Sequence, residues 1–307
     1  MSLPDLEEIL KRASALGASY ADIRYQRHDY ELITVENQAL KSYSSRTLSG
    51  VGIRVLVGGA VGYASTSNLS RNGLCEALEN AVKAAKSMRG RKTGLVDVEP
   101  QRARVKPPIK RDPISGVPPE EKVSITLDAN KASWNSKAIK TALTRLGLSR
   151  DVRLFLSSDG AEVHVETTLV GLGHESVAKV KGVMERASDS RSRCSGFEFI
   201  EAEDWNAFTS ELSSLAVEAA GSRIPPPGTY TVVVEPRVVG LLLHEAFGHA
   251  SEADLVLTGE SVLHNRLGQR LASEHVTIVD EGVVEGGYLS LIHISEPTRP
   301  RLISYAV

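Results

Sequence analysis

Apolar positions recur along the chain with two different periods, and the period switches repeatedly. From Leu3 to Leu16, the spacing of Leu6, Ile9, Leu10 and Ala13 places them on one stripe and predicts an amphipathic helix that Gly17 ends. The period then falls to two. Tyr20–Arg27, Tyr30–Glu36 and Leu40–Ser44 read as strands, with Ile33 and Val35 on one face and Leu32, Thr34 and Glu36 on the other. Val51–Val57 and Ala60–Ser65 flank Gly58-Gly59, a two-residue hairpin whose glycines accept positive φ. Helical spacing returns over Arg71–Met88, capped by Asn68 or Ser70, with Leu74, Leu78, Ala81, Val82 and Ala85 as its apolar face.

A second round follows a basic, proline-rich connection. Arg89–Pro119 contains Lys106-Pro107-Pro108 and Val117-Pro118-Pro119, which favour extended backbone. Nearby acids balance its charge, so it reads as a solvated surface crossing and not as a nucleic-acid arm. Pro119–Trp134 is predicted helical. Ala138–Leu146, Val152–Ser157 and Glu162–Val170 are predicted strands, with Ser158-Asp159-Gly160 turning between the last two and a further strand edge over Gly173–Glu185. Asp204 caps a helix from Trp205 to Gly221, with Phe208, Leu212, Leu215 and Ala219 inward. Strands followed by a helix occur twice. This predicts an α+β fold, a layered N-terminal domain of antiparallel sheets with helices over residues 1–224. The order has the form of a degenerate duplication, without a repeat at residue level. The stiff break Ile224-Pro225-Pro226-Pro227-Gly228 separates it from a second domain over 225–288.

That second domain opens with the chemistry. Tyr230–Glu235 reads as a strand, and Pro236 opens a helix at a position where its missing N–H costs nothing. The helix runs through an apolar stretch into His244-Glu245-Ala246-Phe247-Gly248-His249. Two imidazoles suit a metal such as zinc, and a carboxylate beside them suits proton removal from water. The histidines are five residues apart, so on a regular α-helix they point about 140° apart and cannot share an ion. A π turn, widened to i→i+5 bonding, brings them to one face. Gly248 is expected to ease that distortion. The plainer alternative is a buried helix with two satisfied histidines; the strand–helix setting keeps the metal reading level with it. His164, His174-Glu175 and Cys194 lack partners at ligand spacing and are not expected to bind metal. Val276–Asp280 reads as a further strand.

Composition narrows the function classes. The 307 residues suffice for two domains, and a 41% hydrophobic fraction supports real cores. A net charge of −2 argues against nucleic acid or a membrane surface as a partner recruited by bulk charge, and 5% aromatics against a base-stacking platform. Two distant cysteines, no C-x-x-C, a polar N-terminus and no bilayer-length apolar run lead us to expect a cytoplasmic protein.

The segment Tyr230–Gly282, centred on His244-Glu245-Ala246-Phe247-Gly248-His249-Ala250-Ser251-Glu252-Ala253-Asp254, resembles the TldD/PmbA metallopeptidases. So do Gly17-Ala18-Ser19-Tyr20-Ala21-Asp22, Gly50–Val55 and Gly62–Thr66, none of which is catalytic. The intact H-E-x-x-x-H is similar to the TldD type, its TldE/PmbA-type partners lacking it. The resemblance implies zinc held by His244 and His249, Glu245 as general base, and hydrolysis of unfolded or flexible peptides. It implies a β-rich C-terminal catalytic domain that begins at 225, and dimerisation with itself or with a motif-lacking sister subunit. Glu252 and Asp254 match acidic positions of the family and are expected to orient the histidines. The resemblance also implies a cysteine as third ligand, in a region this sequence does not match, since Leu289–Val307 looks like a non-native tail. A non-catalytic, peptide-binding or scaffold subunit is the competing expectation.

Overall fold

The computed structural model describes residues 3–88, 98–223 and 225–279, and the expected tail over 289–307 lies outside them. The chain divides into two compact units, Met1–Ser222 and Arg223–Gly282.

The first unit is built from helix α1 (Leu3–Ala15), strands β1 (Tyr20–Glu36), β2 (Ala39–Val57) and β3 (Ala60–Thr66), helix α2 (Arg71–Ser87), strand β4 (Arg102–Val105), helix α3 (Pro119–Ala132), strands β5 (Ile139–Ser157), β6 (Glu162–Val180) and β7 (Val183–Arg193), and helices α4 (Glu198–Ala202) and α5 (Trp205–Gly221). The strands form one sheet in the order β3-β2-β1-β5-β6-β4, with β7 also on β6. All pairings are antiparallel except β4 with β6. The pattern helix, three strands, helix occurs twice, as α1-β1-β2-β3-α2 and as α3-β5-β6-β7-α5, with the short α4 inserted before α5 in the second round. The two rounds meet where β1 and β5 pair antiparallel, Tyr25 opposite Leu154 and Val35 opposite Thr144.

The strands are fewer and longer than the sequence pattern predicts. Tyr20–Arg27 and Tyr30–Glu36 are one strand, Leu40–Ser44 continues to Val57, and Ala138–Leu146 continues to Ser157. The apparent breaks are polar residues that pair within the sheet. Arg27 Nε lies 3.0 Å from Asp29 Oδ2, Gln26 Nε2 donates to Asp151 Oδ1 at 2.8 Å, and Arg150 reaches Glu166 at 2.7 Å. The turns at Asn37-Gln38, Gly58-Gly59 and Lys181-Gly182 each place two successive residues at positive φ, the backbone of a type I′ hairpin. At Gln38, where a side chain makes positive φ costly, the backbone N–H donates to Asn130 Oδ1 at 2.7 Å.

Helix ends follow their caps. Ser70 accepts from Gly73 N, Asp204 accepts from Ala207 N, and Pro119 stands in the first turn of α3. Two main cores result. Leu6, Ile9, Ile23, Ile53, Leu74 and Leu78 join α1 and α2 to one end of the sheet. Ile33, Leu146, Leu148, Leu172, Phe197 and Phe208 join α3, α4 and α5 to the other. In α5 the buried stripe is Trp205, Phe208, Thr209, Leu212, Ser213, Ala216 and Ala220. Leu215, expected inward, is instead exposed, because this stripe is centred nearly a quarter-turn away from it.

A polar seam runs beneath α3 and α5. Asn130 Nδ2 donates to Thr144 Oγ1 at 2.9 Å, Thr144 Oγ1 meets His174 Nδ1 at 2.8 Å, His174 Nε2 meets Ser176 Oγ at 2.8 Å, and Ser176 Oγ meets Ser213 Oγ at 2.6 Å. Every member is buried, and each finds the partner that burial demands.

The described part of the second unit contains α6 (Pro236–Leu243), a five-residue π turn, a single 3₁₀ turn and α7 (Ala253–Thr258). Tyr230–Glu235 and Val276–Val279 are not strands, contrary to expectation. Their apolar, β-favouring residues set a propensity, but a strand also needs a hydrogen-bonded neighbour, and among the described residues none pairs with them. Asp280, the expected end of the second strand, lies outside the described residues.

Candidate metal centre

Pro236 starts α6 as predicted, with Glu235 extended before it. The helix is regular as far as Leu243. At His244 the register changes, and the backbone N–H of His249 donates to the carbonyl of His244, five residues back. The π turn over His244–Gly248 therefore forms where the histidine spacing requires it. The expected role of Gly248 does not hold. Its backbone is ordinary right-handed helix at φ −55 and ψ −56, and a Cβ there would meet His244 Nδ1 at 3.5 Å, an unstrained contact. The turn is widened by its hydrogen-bond register, with no angle that only glycine adopts.

The widened turn stacks the two imidazoles edge to face, with ring centroids 4.5 Å apart. One donor atom from each of His244, Glu245 and His249 falls within 4.8 Å of the others. Glu245 Oε2 lies 3.8 Å from His249 Nε2. Donor atoms around a tetrahedral zinc stand roughly 3.3 Å apart, as ligand bonds of about 2.0–2.2 Å dictate. Small rotations of these exposed side chains would close the set. Two imidazole nitrogens and a carboxylate oxygen are also a donor chemistry that zinc accepts, so the residues fit the ion. Among the described residues no cysteine joins the cluster.

A 3₁₀ turn over His249–Ser251 follows, and Ser251 Oγ donates to the Gly248 carbonyl at 2.8 Å. Glu252 then leaves in extended conformation, with Oε1 2.7 Å from His249 Nδ1. The other expected orienting residue does not reach the histidines. Asp254 Oδ1 accepts from Leu255 N at 2.9 Å, serving the first turn of α7. Ser261, which sequence reasoning missed, is the buried polar side chain among the described residues of this unit, and its Oγ donates to the Ala250 carbonyl. Nothing in its neighbourhood in the sequence marks it for that role.

The remaining candidates belong to the first unit. His174 has both ring nitrogens occupied by hydroxyls, and burial pushes its pKa down to about 4, so it is a neutral core residue. Glu175 pairs with Arg186 at 3.3 Å. His164 lies on β6, where that strand runs beside β4. Burial raises the Cys194 thiol, the opposite of what a thiolate ligand needs. Cys75 packs against the core under α2.

Several proteins similar to this chain are named metalloproteases. A metalloprotease of Methanothermobacter thermautotrophicus is 34% identical over 269 residues, covering 87% of this chain and 58% of the relative. One from Methanocaldococcus jannaschii is 29% identical over 292 residues, covering 94% and 62%. A zinc metalloprotease TldD homolog of Saccharolobus solfataricus is 25% identical over 291 residues, covering 94% and 62%. The chain thus spans about three-fifths of their length.

The chain belongs to the PmbA/TldA metallopeptidase family, whose domain 1 matches residues 21–88, central domain 112–223 and C-terminal domain 227–295. Solved structures share the α+β fold. A candidate modulator of DNA gyrase from Bacteroides thetaiotaomicron superposes with a TM-score of 0.78 at 17% identity, over 92% of this chain and 64% of that one. TldE from Thermococcus kodakarensis gives 0.69 at 19%, over 88% and 60%. Among the described residues, no helix is long and apolar enough to cross a membrane.

Proposed function

We propose that this chain carries the metal-binding turn of a zinc-dependent, TldD-like peptidase. The observation that supports this most is the π turn, which gathers His244, Glu245 and His249 within 4.8 Å where a regular helix would separate them. In this reading His244 and His249 hold zinc through imidazole nitrogens. When bound, the ion supplies a Lewis acid that polarises the peptide carbonyl and acidifies water. Glu245, one residue beyond the first ligand, accepts the proton that water loses and delivers it to the departing amine. The substrate is an unfolded or flexible peptide, able to extend into a site at a helix turn. The family resemblance adds a dimer, with a second copy or with a motif-lacking sister subunit, and the two cysteines, which form no disulfide, support a cytoplasmic location.

One observation favours a second reading. Among the described residues the only protein donors at the centre are those of His244, Glu245 and His249. If Glu245 serves as third ligand it is no longer free as a base, and the chain binds peptide or supports a partner without cleaving. Glu245→Gln separates the two, tested in a chain extended to its relatives' length. For the peptidase, zinc content stays stoichiometric and hydrolysis of a flexible peptide falls on the order of a hundredfold or more. Loss of zinc with the substitution would assign Glu245 to the metal, and unchanged hydrolysis would remove it from the reaction.

A further inference from the structure

We infer that Glu252 is a positioning residue, which fixes His249 as the Nδ1–H tautomer and so turns its Nε2 lone pair toward Glu245. The inference rests on reading the turn as a metal centre, and it adds a residue outside the H-E-x-x-x-H motif to that centre.

A neutral imidazole has one donor nitrogen and one acceptor, and its surroundings choose which is which. Glu252 Oε1 stands 2.7 Å from His249 Nδ1. An ionised carboxylate only accepts, so the proton belongs on Nδ1, and Nε2 carries the lone pair. Nε2 is the nitrogen that faces Glu245 Oε2, at 3.8 Å. The two carboxylates therefore bracket one ring, Glu252 at the far nitrogen and Glu245 at the near one. Their surroundings differ in keeping with these roles. The Glu252 side chain is 32% exposed and that of Glu245 62%, so the first is held and the second is open to a ligand.

The backbone delivers this contact. A helix continued past His249 would keep residue 252 in helical conformation. Instead the chain makes a single 3₁₀ turn and becomes extended at Glu252, with φ −61 and ψ 130. The Ser251 hydroxyl on the Gly248 carbonyl and the Ser261 hydroxyl on the Ala250 carbonyl brace that turn from both sides. Among the described residues no such carboxylate holds the ring of His244, and Asp254 is engaged with the Leu255 amide. His249 is thus the ligand set in advance, and His244 the one that adjusts.

The test uses the whole chain with Glu252→Ala and Glu252→Gln. Nitrogen NMR of the metal-free protein reads the His249 tautomer, and competition with a chromophoric chelator reads zinc affinity. The expected result is an Nδ1–H imidazole in the parent chain and, in Glu252→Ala, a shift toward Nε2–H with zinc binding weakened 10- to 100-fold; Glu252→Gln, whose amide oxygen still accepts from Nδ1–H, retains both in part, and circular dichroism is unchanged throughout. A purely structural Glu252 would leave the tautomer alone. An Nε2–H ring in the parent chain, or equal zinc affinity in parent and both variants, overturns the inference. If the parent chain binds no zinc but the tautomer still moves in Glu252→Ala, the metal reading fails while the tautomer assignment stands.

Discussion

The ammonium of Lys122 on α3 lies 2.5 Å from the Glu31 carboxylate on β1, and both side chains are almost fully removed from solvent. Glu31 also accepts from Tyr43 Oη at 3.1 Å, and Lys122 donates to the Ile114 carbonyl at 3.1 Å. These bonds satisfy an ion pair that would otherwise be costly to bury. They also join the second helix–sheet round to the first strand of the first round. Removing one partner leaves a buried charge alone. Glu31→Gln or Lys122→Met should each lower stability by about 3–5 kcal/mol, whereas Lys122→Met with Glu31→Leu should cost less than either. Urea unfolding of the three variants checks this, and a double variant worse than both single ones would contradict it.

His174 predicts an acid limit to stability. Burial lowers its pKa from about 6.5 to about 4, so the folded protein keeps it neutral while the unfolded chain takes up a proton. The folded state binds fewer protons between those values. Its stability is therefore complete above pH 6.5 and declines as pH falls toward 4, by about 3 kcal/mol in all. His174→Gln can still hydrogen-bond to Thr144 and Ser176 but cannot titrate. Its urea midpoint should change less between pH 7.5 and pH 5 than that of the parent chain.

Asn130 is a single side chain that closes three elements. It accepts from Gln38 N at 2.7 Å and donates to Thr144 Oγ1 at 2.9 Å and to the Ala142 carbonyl at 3.1 Å. Asn130→Ala should cost on the order of 2–4 kcal/mol, since several buried groups lose partners together. Amide exchange at Gln38 should accelerate more than at Gly58-Gly59, a hairpin whose two glycines carry the positive φ values themselves.

The two leucines of α5 offer a contrast at constant chemistry. Leu212 is 9% exposed and Leu215 54%. Leu212→Ala should cost about 2–5 kcal/mol and Leu215→Ala well under 1 kcal/mol. Thermal unfolding of the pair measures the difference directly.

These contrasts show what the sequence makes legible. Helix limits can be read because caps are local chemistry: Ser70, Pro119 and Asp204 each act within one turn. The π turn can be read because i, i+5 histidines fail on any regular helix. Strand lengths cannot, because Arg27, Asp29 and Arg150 look like breaks until their partners within the sheet are known. Leu215 misleads because several stripes on α5 are apolar, and only the sheet beneath selects one. Tyr230–Val234 misleads because strand propensity says nothing about whether a neighbouring strand is there to pair. Glu252 reaches His249 through a 3₁₀ turn and an extended residue, a path that helical periodicity cannot anticipate.

Viewed along the backbone, the turn between the imidazoles is an insertion absorbed in place. A π turn spans one turn with one more residue than an α turn, and α6 ahead of it stays regular to Leu243. Deleting Ala246 would therefore leave His-Glu-Phe-Gly-His at i, i+4 on a plain α turn, with both rings still on one face. Such a chain should bind zinc within about tenfold of the parent. Inserting an alanine after Ala246 asks one turn to hold a second surplus residue, and should abolish binding. The length tolerance of this candidate metal centre should thus be lopsided, forgiving of a lost residue and closed to a gained one.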